Sequence, residues 1–432
     1  MKATSLQQVV RNFDPKMILD GQDLRFWFVD RPDSPRGYMR TALQMAQQDQ
    51  HPVKMLLVGH RGSGKSTELN KLAVELAGQY ETIGFDLLDI VGSGLVQYQD
   101  LMRTLGTRLP QILIERKWVS GPVGQPLHDA WQRFGDWWRE SVAGLSMADH
   151  EVSTYASFGT LLGEVEFGAS ISAFDREQLN NVIERRMSDL IRYLNAIIAD
   201  AQRQIAPKRL LLVIEGLDKV DLESARNVFR DHANTITALD VSMIYTFPLA
   251  LRYAPDYQTV LRHFDDDRYL HNFAPSKFDG QPNEENGLAK LREIVQKRLD
   301  AGLIENDALE LLVGMSGGIP SDLVKLIRGS AIYALARDGA AAQIGLSDAQ
   351  AITRDLRRER AANLNIAQWQ VLKTKHRDRM LSNDVAVRDL LYQAALIEYS
   401  NGQQWCDVHP LLWSLLDYYA PEVDPQESGA DG

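Results

Sequence analysis

With one cysteine, Cys406, the chain cannot form an internal disulfide framework, and this fits a reducing, cytoplasmic setting. No apolar run reaches the roughly 18 residues of a membrane span, so no membrane association is expected. The amino terminus lacks the charged-then-apolar pattern of a secretory leader. The nine histidines fall in no H-E-x-x-H or paired Cys/His spacing, which removes metal hydrolase and metalloprotease readings. Internal repeats and low-complexity tracts are absent, so no repeat-built module is expected. An excess of positive charge is missing too. The net charge of −11 gives no global attraction to nucleic acid, although a local basic face is compatible with it.

What is present is an ordinary globular composition, 44% hydrophobic and 24% charged, over a length that suggests about three domains. The most informative stretch is Val53-Lys54-Met55-Leu56-Leu57-Val58-Gly59-His60-Arg61-Gly62-Ser63-Gly64-Lys65-Ser66-Thr67. A buried-strand run breaks into a loop matching G-x-x-x-x-G-K-[ST], and the helical pattern Glu68 to Leu76 follows. The glycines let backbone N–H groups turn inward around phosphates, and the helix adds its positive N-terminal dipole. Lys65 is expected to reach the β- and γ-phosphates of ATP, and the Ser66 hydroxyl to ligate Mg²⁺. Residues 59 to 67 together are the expected nucleotide cradle.

Further strands are expected at Glu81–Leu88, Leu210–Ile214 and Val241–Thr246, each a mostly apolar run with helical segments between them. That pattern indicates α/β architecture, a parallel sheet covered by helices on both faces. The gap between the second and third strands is far longer than a crossover helix requires, so an insertion over about 95–205 is expected. It holds an aromatic helix with Trp131, Phe134, Trp137 and Trp138, a glycine-rich hairpin over Phe158–Phe174, and a long helix from Arg176 to Gln204. The apolar stripe Leu179, Ile183, Met187, Leu190, Leu194 and Ile198 on that helix reads as core packing.

The expected division is a lead-in over 1–50, a P-loop domain over 51–275 and a helical lid over 276–345. A winged-helix domain over 350–420 and a disordered acidic tail over 421–432 complete it. The lead-in carries a strand-like aromatic piece, Phe26–Val29. The winged helix is inferred from helices followed by a hairpin, Leu396–Tyr399 and Trp405–Val408, joined through Asn401-Gly402.

A P-loop needs an acid at the end of a neighbouring strand to organise Mg²⁺ through water. Ile214-Glu215-Gly216-Leu217-Asp218 offers Glu215 at the strand end as the metal-organising acid and Asp218 to orient the attacking water. Here the chain resembles the STAND ATPases, the NACHT- and NB-ARC-like signalling branch near the AAA+ proteins. Their second acidic motif typically runs hydrophobic-Asp-Gly-Leu-Asp-Glu. Glu215 replaces its first aspartate and Lys219 its terminal acid, which implies slow hydrolysis suited to a switch.

Gly318-Ile319-Pro320 is similar to the lid motif whose proline abuts the nucleotide, with Ser321 where AAA+ proteins often place an arginine. Val408-His409-Pro410 resembles the Met-His-Asp motif, whose histidine contacts the ADP β-phosphate; Pro410 replaces its aspartate. The resemblance also implies Thr246 as a γ-phosphate sensor and Val29, with Arg31, at the adenine. Arg226 and Arg230 are positional candidates for an arginine finger.

The leading expectation is a nucleotide-dependent switch that forms a homo-oligomer with ATP and acts through an effector or sensor protein in trans. By analogy, antiphage defence or stress signalling is its setting. The alternative is an AAA+ protein akin to replication initiators, gripping duplex DNA with its winged helix. Its support is the run Arg354, Arg357, Arg358, Arg360, Lys373, Lys375, Arg377 and Arg379. A third possibility is a nucleotide-stabilised scaffold without turnover.

Overall fold

The computed structural model describes residues 1–91, 96–119, 177, 180, 181 and 183–421. The aromatic helix at Trp131–Trp138, the hairpin at 158–174, Leu179 and residues 422–432 lie outside the described residues.

Five parallel strands form the central sheet: β1 (Lys54–Gly59), β2 (Tyr80–Asp86), β3 (Arg209–Glu215), β4 (Ser242–Pro248) and β5 (Asp266–Tyr269), in the order β2-β3-β4-β1-β5. The apolar runs explain the middle of this order, because a strand covered on both faces cannot alternate with polar residues. Along β1, Leu56 and Val58 enter one core while Met55 and Leu57 enter the other. Leu210, Leu212 and Ile214 of β3 join the first, and Leu211 and Val213 the second. Helices Tyr98–Glu115 and Met187–Gln204 cover the first face through Leu101, Leu105, Leu190, Leu194 and Ile198. Helices Arg36–Asp49 and Lys65–Leu76 cover the second through Met39, Leu43, Leu69 and Leu72.

Several local expectations are corrected. Phe26–Val29 is not strand-like: Gly21–Trp27 is a helix, and Leu24 and Trp27 reach one buried cluster at helical spacing. The second strand stops at Asp86, whose carboxylate accepts from the Leu88 N–H (3.1 Å), and Leu87–Val91 turns helical. The fourth strand runs on to Pro248. β5 escaped notice because Asp-Asp-Arg-Tyr carries no apolar run; it is half-buried at the sheet edge beside β1.

The lid comprises helices Ala289–Gln296, Asn306–Met315 and Pro320–Arg337 around Leu291, Leu312, Leu323 and Ile327. The amino-terminal helix Leu6–Asn12 buries Leu6 and Val9 in that same core, and Ala3 pairs with Leu299. Helices Leu346–Ala361, Ile366–Asp378 and Val385–Tyr392 then precede an antiparallel hairpin, β6 (Leu396–Ser400) with β7 (Gln404–Val408). That is the winged-helix arrangement, with Trp369, Leu372, Leu390 and Val408 at its centre.

Candidate functional site

Because β1 sits between β4 and β5, the loop after it opens at the carboxyl edge of the sheet, beside the ends of β4 and β3. The acid-bearing strand is one further away than expected. β4 intervenes, so Thr246, in register with Leu57, lies next to the P-loop strand, and Glu215 ends the strand beyond. Asp86 ends β2 opposite Glu215. Nothing in the sequence marks Asp86, because its place beside Glu215 follows from strand register alone.

Lys65 opens its helix and is buried. Its Nζ donates to the carbonyls of Gly59 (2.9 Å) and His60 (2.8 Å) and pairs with Asp218 Oδ2 at 2.8 Å. Burial works to raise the Asp218 carboxyl, but Lys65 overrides it and holds that group below its ordinary value. The buried Thr246 hydroxyl lies near enough to Asp218 to help hold its carboxyl down, although it makes no hydrogen bond of good geometry. Glu215 goes the other way: burial raises it, Asp86 and Asp218 add to the effect, and the Ser66 hydroxyl opposes them. Glu215 Oε2 is buried with no partner. A hard oxygen donor left unsatisfied next to a serine hydroxyl fits Mg²⁺, although the described residues gather no ready-made cluster of acids, Asp86 and Asp218 each being paired with a lysine. Lys219 stands in front of these acids, its Nζ 3.1 Å from Asp86 Oδ2. Gly216 is needed here: at φ +91° a Cβ would fall 2.6 Å from Asp86 Oδ1.

The loop is bonded to the lead-in, the lid and the winged helix. Buried Arg31 donates through Nη1 to the His271 carbonyl (2.7 Å) and through Nη2 to the Ser63 carbonyl. Its guanidinium lies 4.1 Å from the Phe273 ring centre. Burial pulls Arg31 down to about 10, against the opposing charge of Glu68. From the lid, the Ser321 N–H donates to the Gly62 carbonyl at 3.2 Å. At Gly62, with φ +83°, a Cβ would collide with Ser321 Oγ at 1.9 Å. From the winged helix, the Glu398 N–H donates to His60 Nε2 at 2.8 Å. Burial and then Lys65 push His60 down to about 3, so it stays a neutral acceptor.

Two cavities flank the loop. The smaller, about 230 Å³, is lined by Gly62, Gly64, Lys65, Ser66 and Thr67. Val29, Ile294, Pro320 and Val324 line it too, as do Trp27, Phe28, Arg298 and Asp14. Thr246, Asp218 and Lys219 also face it. The larger, about 550 Å³, lies between sheet, lid and winged helix, and Gly59, His60, Arg61 and Asp218 form one wall. Ser63 is buried and lines neither.

His409 is fully buried away from the small cavity. Its Nδ1 accepts from the Leu411 N–H (3.2 Å), which leaves Nε2 to donate to Asp322 Oδ2 (3.1 Å). Burial lowers His409 to about 4. Arg360 Nη2 reaches the same Asp322 oxygen at 2.6 Å. Burial would raise Asp322; Arg360 and His409 together hold it well below the carboxylate range. Arg252 pairs with Glu398 at 3.7 Å, and Arg230 with Asp231 and Asp256.

No protein-family model matches the chain, and no curated protein is similar to it. Among solved structures, several align with most of the chain at low identity. The Drosophila ORC bound to DNA is 10% identical over 98% of this chain and 92% of that one, with a TM-score of 0.43. A Walker-type ATPase of Pyrococcus abyssi is 13% identical over 94% of this chain and 99% of its own, with a TM-score of 0.43. The Aeropyrum pernix Orc1 protein in complex with DNA is 12% identical over 95% and 96%, with a TM-score of 0.42.

Proposed function

We propose that the chain is an ATP-binding, slowly hydrolysing molecular switch whose P-loop is read by the lid and the winged helix. One observation carries this. Three residues of the loop, His60, Gly62 and Ser63, are each hydrogen-bonded to a different segment: the winged helix, the lid and the amino-terminal lead-in. A phosphate cannot reshape that loop without altering those bonds. A ligand shifts such an equilibrium only through contacts that differ between its states, and the γ-phosphate supplies the difference between ATP and ADP.

In this reading the phosphates lie against the loop N–H groups, with Lys65 giving up one of its present partners to meet them. Ser66 and Glu215 would hold Mg²⁺, which when bound draws charge from the β- and γ-phosphates. Asp218, held ionised by Lys65, is a weak base, and Lys219 stands where the resemblance places an acid. Both features suit slow turnover. Thr246 would turn its hydroxyl from Asp218 to the γ-phosphate.

Light scattering tests this on the purified chain with ATP, with ADP, and with ATP on Lys65→Ala. Assembly that requires ATP and disappears in the variant is expected; one size throughout would overturn the switch. The duplex-DNA reading has less support. Arg357 and Arg360 bond carbonyls at Leu411 and Ala394, Lys373 the Ala420 carbonyl, and Arg379 the Phe278 carbonyl, so much of the basic run is engaged internally.

A further inference from the structure

The segment after β3 turns back on the sheet. Gly216 takes φ +91°, and the Lys219 N–H donates to the Gly216 carbonyl at 3.0 Å. That turn brings the Lys219 side chain to the end of β2, where its Nζ pairs with Asp86 Oδ2 at 3.1 Å. The other oxygen of Asp86 accepts from the Leu88 N–H, also at 3.1 Å. Lys219 lines the small cavity with Lys65, Ser66 and Thr67, so it shares that space with the phosphate-binding loop. The pair is open to solutes, since 30% of the Lys219 side chain and 18% of that of Asp86 are exposed.

Charge decides what this lysine does. Asp86, Glu215 and Asp218 gather here, and the chain answers them with two ammonium groups: Lys65 on Asp218 at 2.8 Å and Lys219 on Asp86. Burial lowers the Lys219 ammonium, but Asp86, then Asp218 and Glu215, override it and raise the group, so it keeps its charge. Among the described residues no group of three or more acid, histidine or cysteine side chains stands ready to hold a metal. The acids already have cations from the chain itself. An ammonium is a compact charge on a flexible stem, able to fill such a place and to leave it. Only Asp86 hydrogen-bonds the Lys219 Nζ among the described residues, so rotation of the side chain releases it. It cannot share the place with a divalent cation, because like charges a few ångströms apart repel strongly in a half-buried site.

We propose that Lys219 is a built-in competitor of the divalent cation: its ammonium holds the acids beside the P-loop, and a metal ion arriving with nucleotide must displace it. The proposal rests on the nucleotide reading above and adds how the site responds to metal. With Lys219 providing positive charge beside the loop, nucleotide binds almost as well without metal as with it. An ordinary surface ion pair would have no such consequence.

The test is calorimetric titration of ATP into the full chain, in EDTA and in excess Mg²⁺, with wild type, Lys219→Met and Lys219→Arg. The readout is the ratio of the two affinities. By linkage, that ratio is the factor by which the protein tightens metal on the nucleotide. Wild type is expected to gain about threefold or less from Mg²⁺, and Lys219→Met about thirtyfold, while Lys219→Arg stays near wild type. A lysine that only braces the turn would lower the Tm when replaced and leave the ratio as it was. Equal ratios in wild type and Lys219→Met would overturn the competitor. So would a gain of about a hundredfold in wild type, a result that needs no variant to fold. ATP binding to wild type in neither buffer would bring down the nucleotide reading, and this proposal with it.

Discussion

The two cavities on either side of the P-loop differ in the opposite way from what size suggests. The larger, about 550 Å³, contains mostly groups that satisfy each other: Arg360 bonds Asp322 and the Ala394 carbonyl, and Asp322 also takes His409, while His60 Nδ1 is left open. The smaller, about 230 Å³, is lined by more residues that carry an open atom, at Trp27 Nε1, Arg298 Nε and Thr246 Oγ1, beside the satisfied pair of Lys65 and Asp218. Volume is a poor guide here. A polar group that folding has buried without a partner says more about where a ligand belongs, because the molecule bears that cost in every copy. The large cavity reads as a joint between domains, closed by its own ion pairs.

That contrast can be broken most sharply at Lys65. Lys65→Ala is expected to weaken ATP by about a hundredfold or more in a titration, because a charge-assisted donor to phosphate is lost from a buried site. An affinity within a few-fold of wild type would move the ligand out of the small cavity. Arg360→Ala probes the other side. It leaves Asp322 short of its main counter-charge and is expected to cost about 2–3 kcal/mol in denaturant unfolding, with ATP affinity little changed. If it instead removed ligand binding while stability held, the large cavity would be a binding site after all.

Gly62→Ala sharpens the link between loop and lid. The added Cβ meets Ser321 Oγ at 1.9 Å, so the lid has to shift. ATP affinity is expected to fall about tenfold, with partial recovery in Gly62→Ala/Ser321→Gly, which a double-mutant cycle would detect. Thr246→Val removes a hydroxyl but keeps the shape. It is expected to cost ATP a few-fold and ADP nothing, since only the γ-phosphate would reach it.

Acidification acts on both sides of the loop. In the unfolded chain His60 and His409 take up protons below about 6.5, whereas in the fold they do so only near 3 and 4. The unfolded state therefore binds more protons in that window. Stability is full above pH 6.5 and is lost as pH falls toward those lower values. Melting curves between pH 7 and 5 are expected to show a falling Tm, and a flatter profile for His409→Gln.

Much of this was legible in the chain. The P-loop, β1, β3, β4 and the β6–β7 hairpin follow from apolar runs and turn residues, because those signals are local. Pro320, Val29 and Thr246 do line the small cavity, and the proline begins its helix as expected. What was hidden depends on distant pairing. Nothing local marks Arg298 as a partner for Trp27, since the two meet only after the amino-terminal helix enters the lid core. Asp86 acquires its place from the register of β2 against β3. His409 faces Asp322 because the winged helix docks on the lid, a contact that no motif spacing encodes. The order β4 before β3 beside β1 is likewise a property of the sheet, and β5 has too few apolar residues to announce itself.

The bond from the Glu398 N–H to His60 is where the winged helix would sense the P-loop directly. Amide hydrogen exchange across residues 396–408, compared with ADP and with ATP, is the most direct test. Faster exchange of this hairpin with ATP than with ADP, abolished in Lys65→Ala, is the expected result. Identical protection under both nucleotides, with each shown to be bound, would mean that the winged helix does not sense the nucleotide.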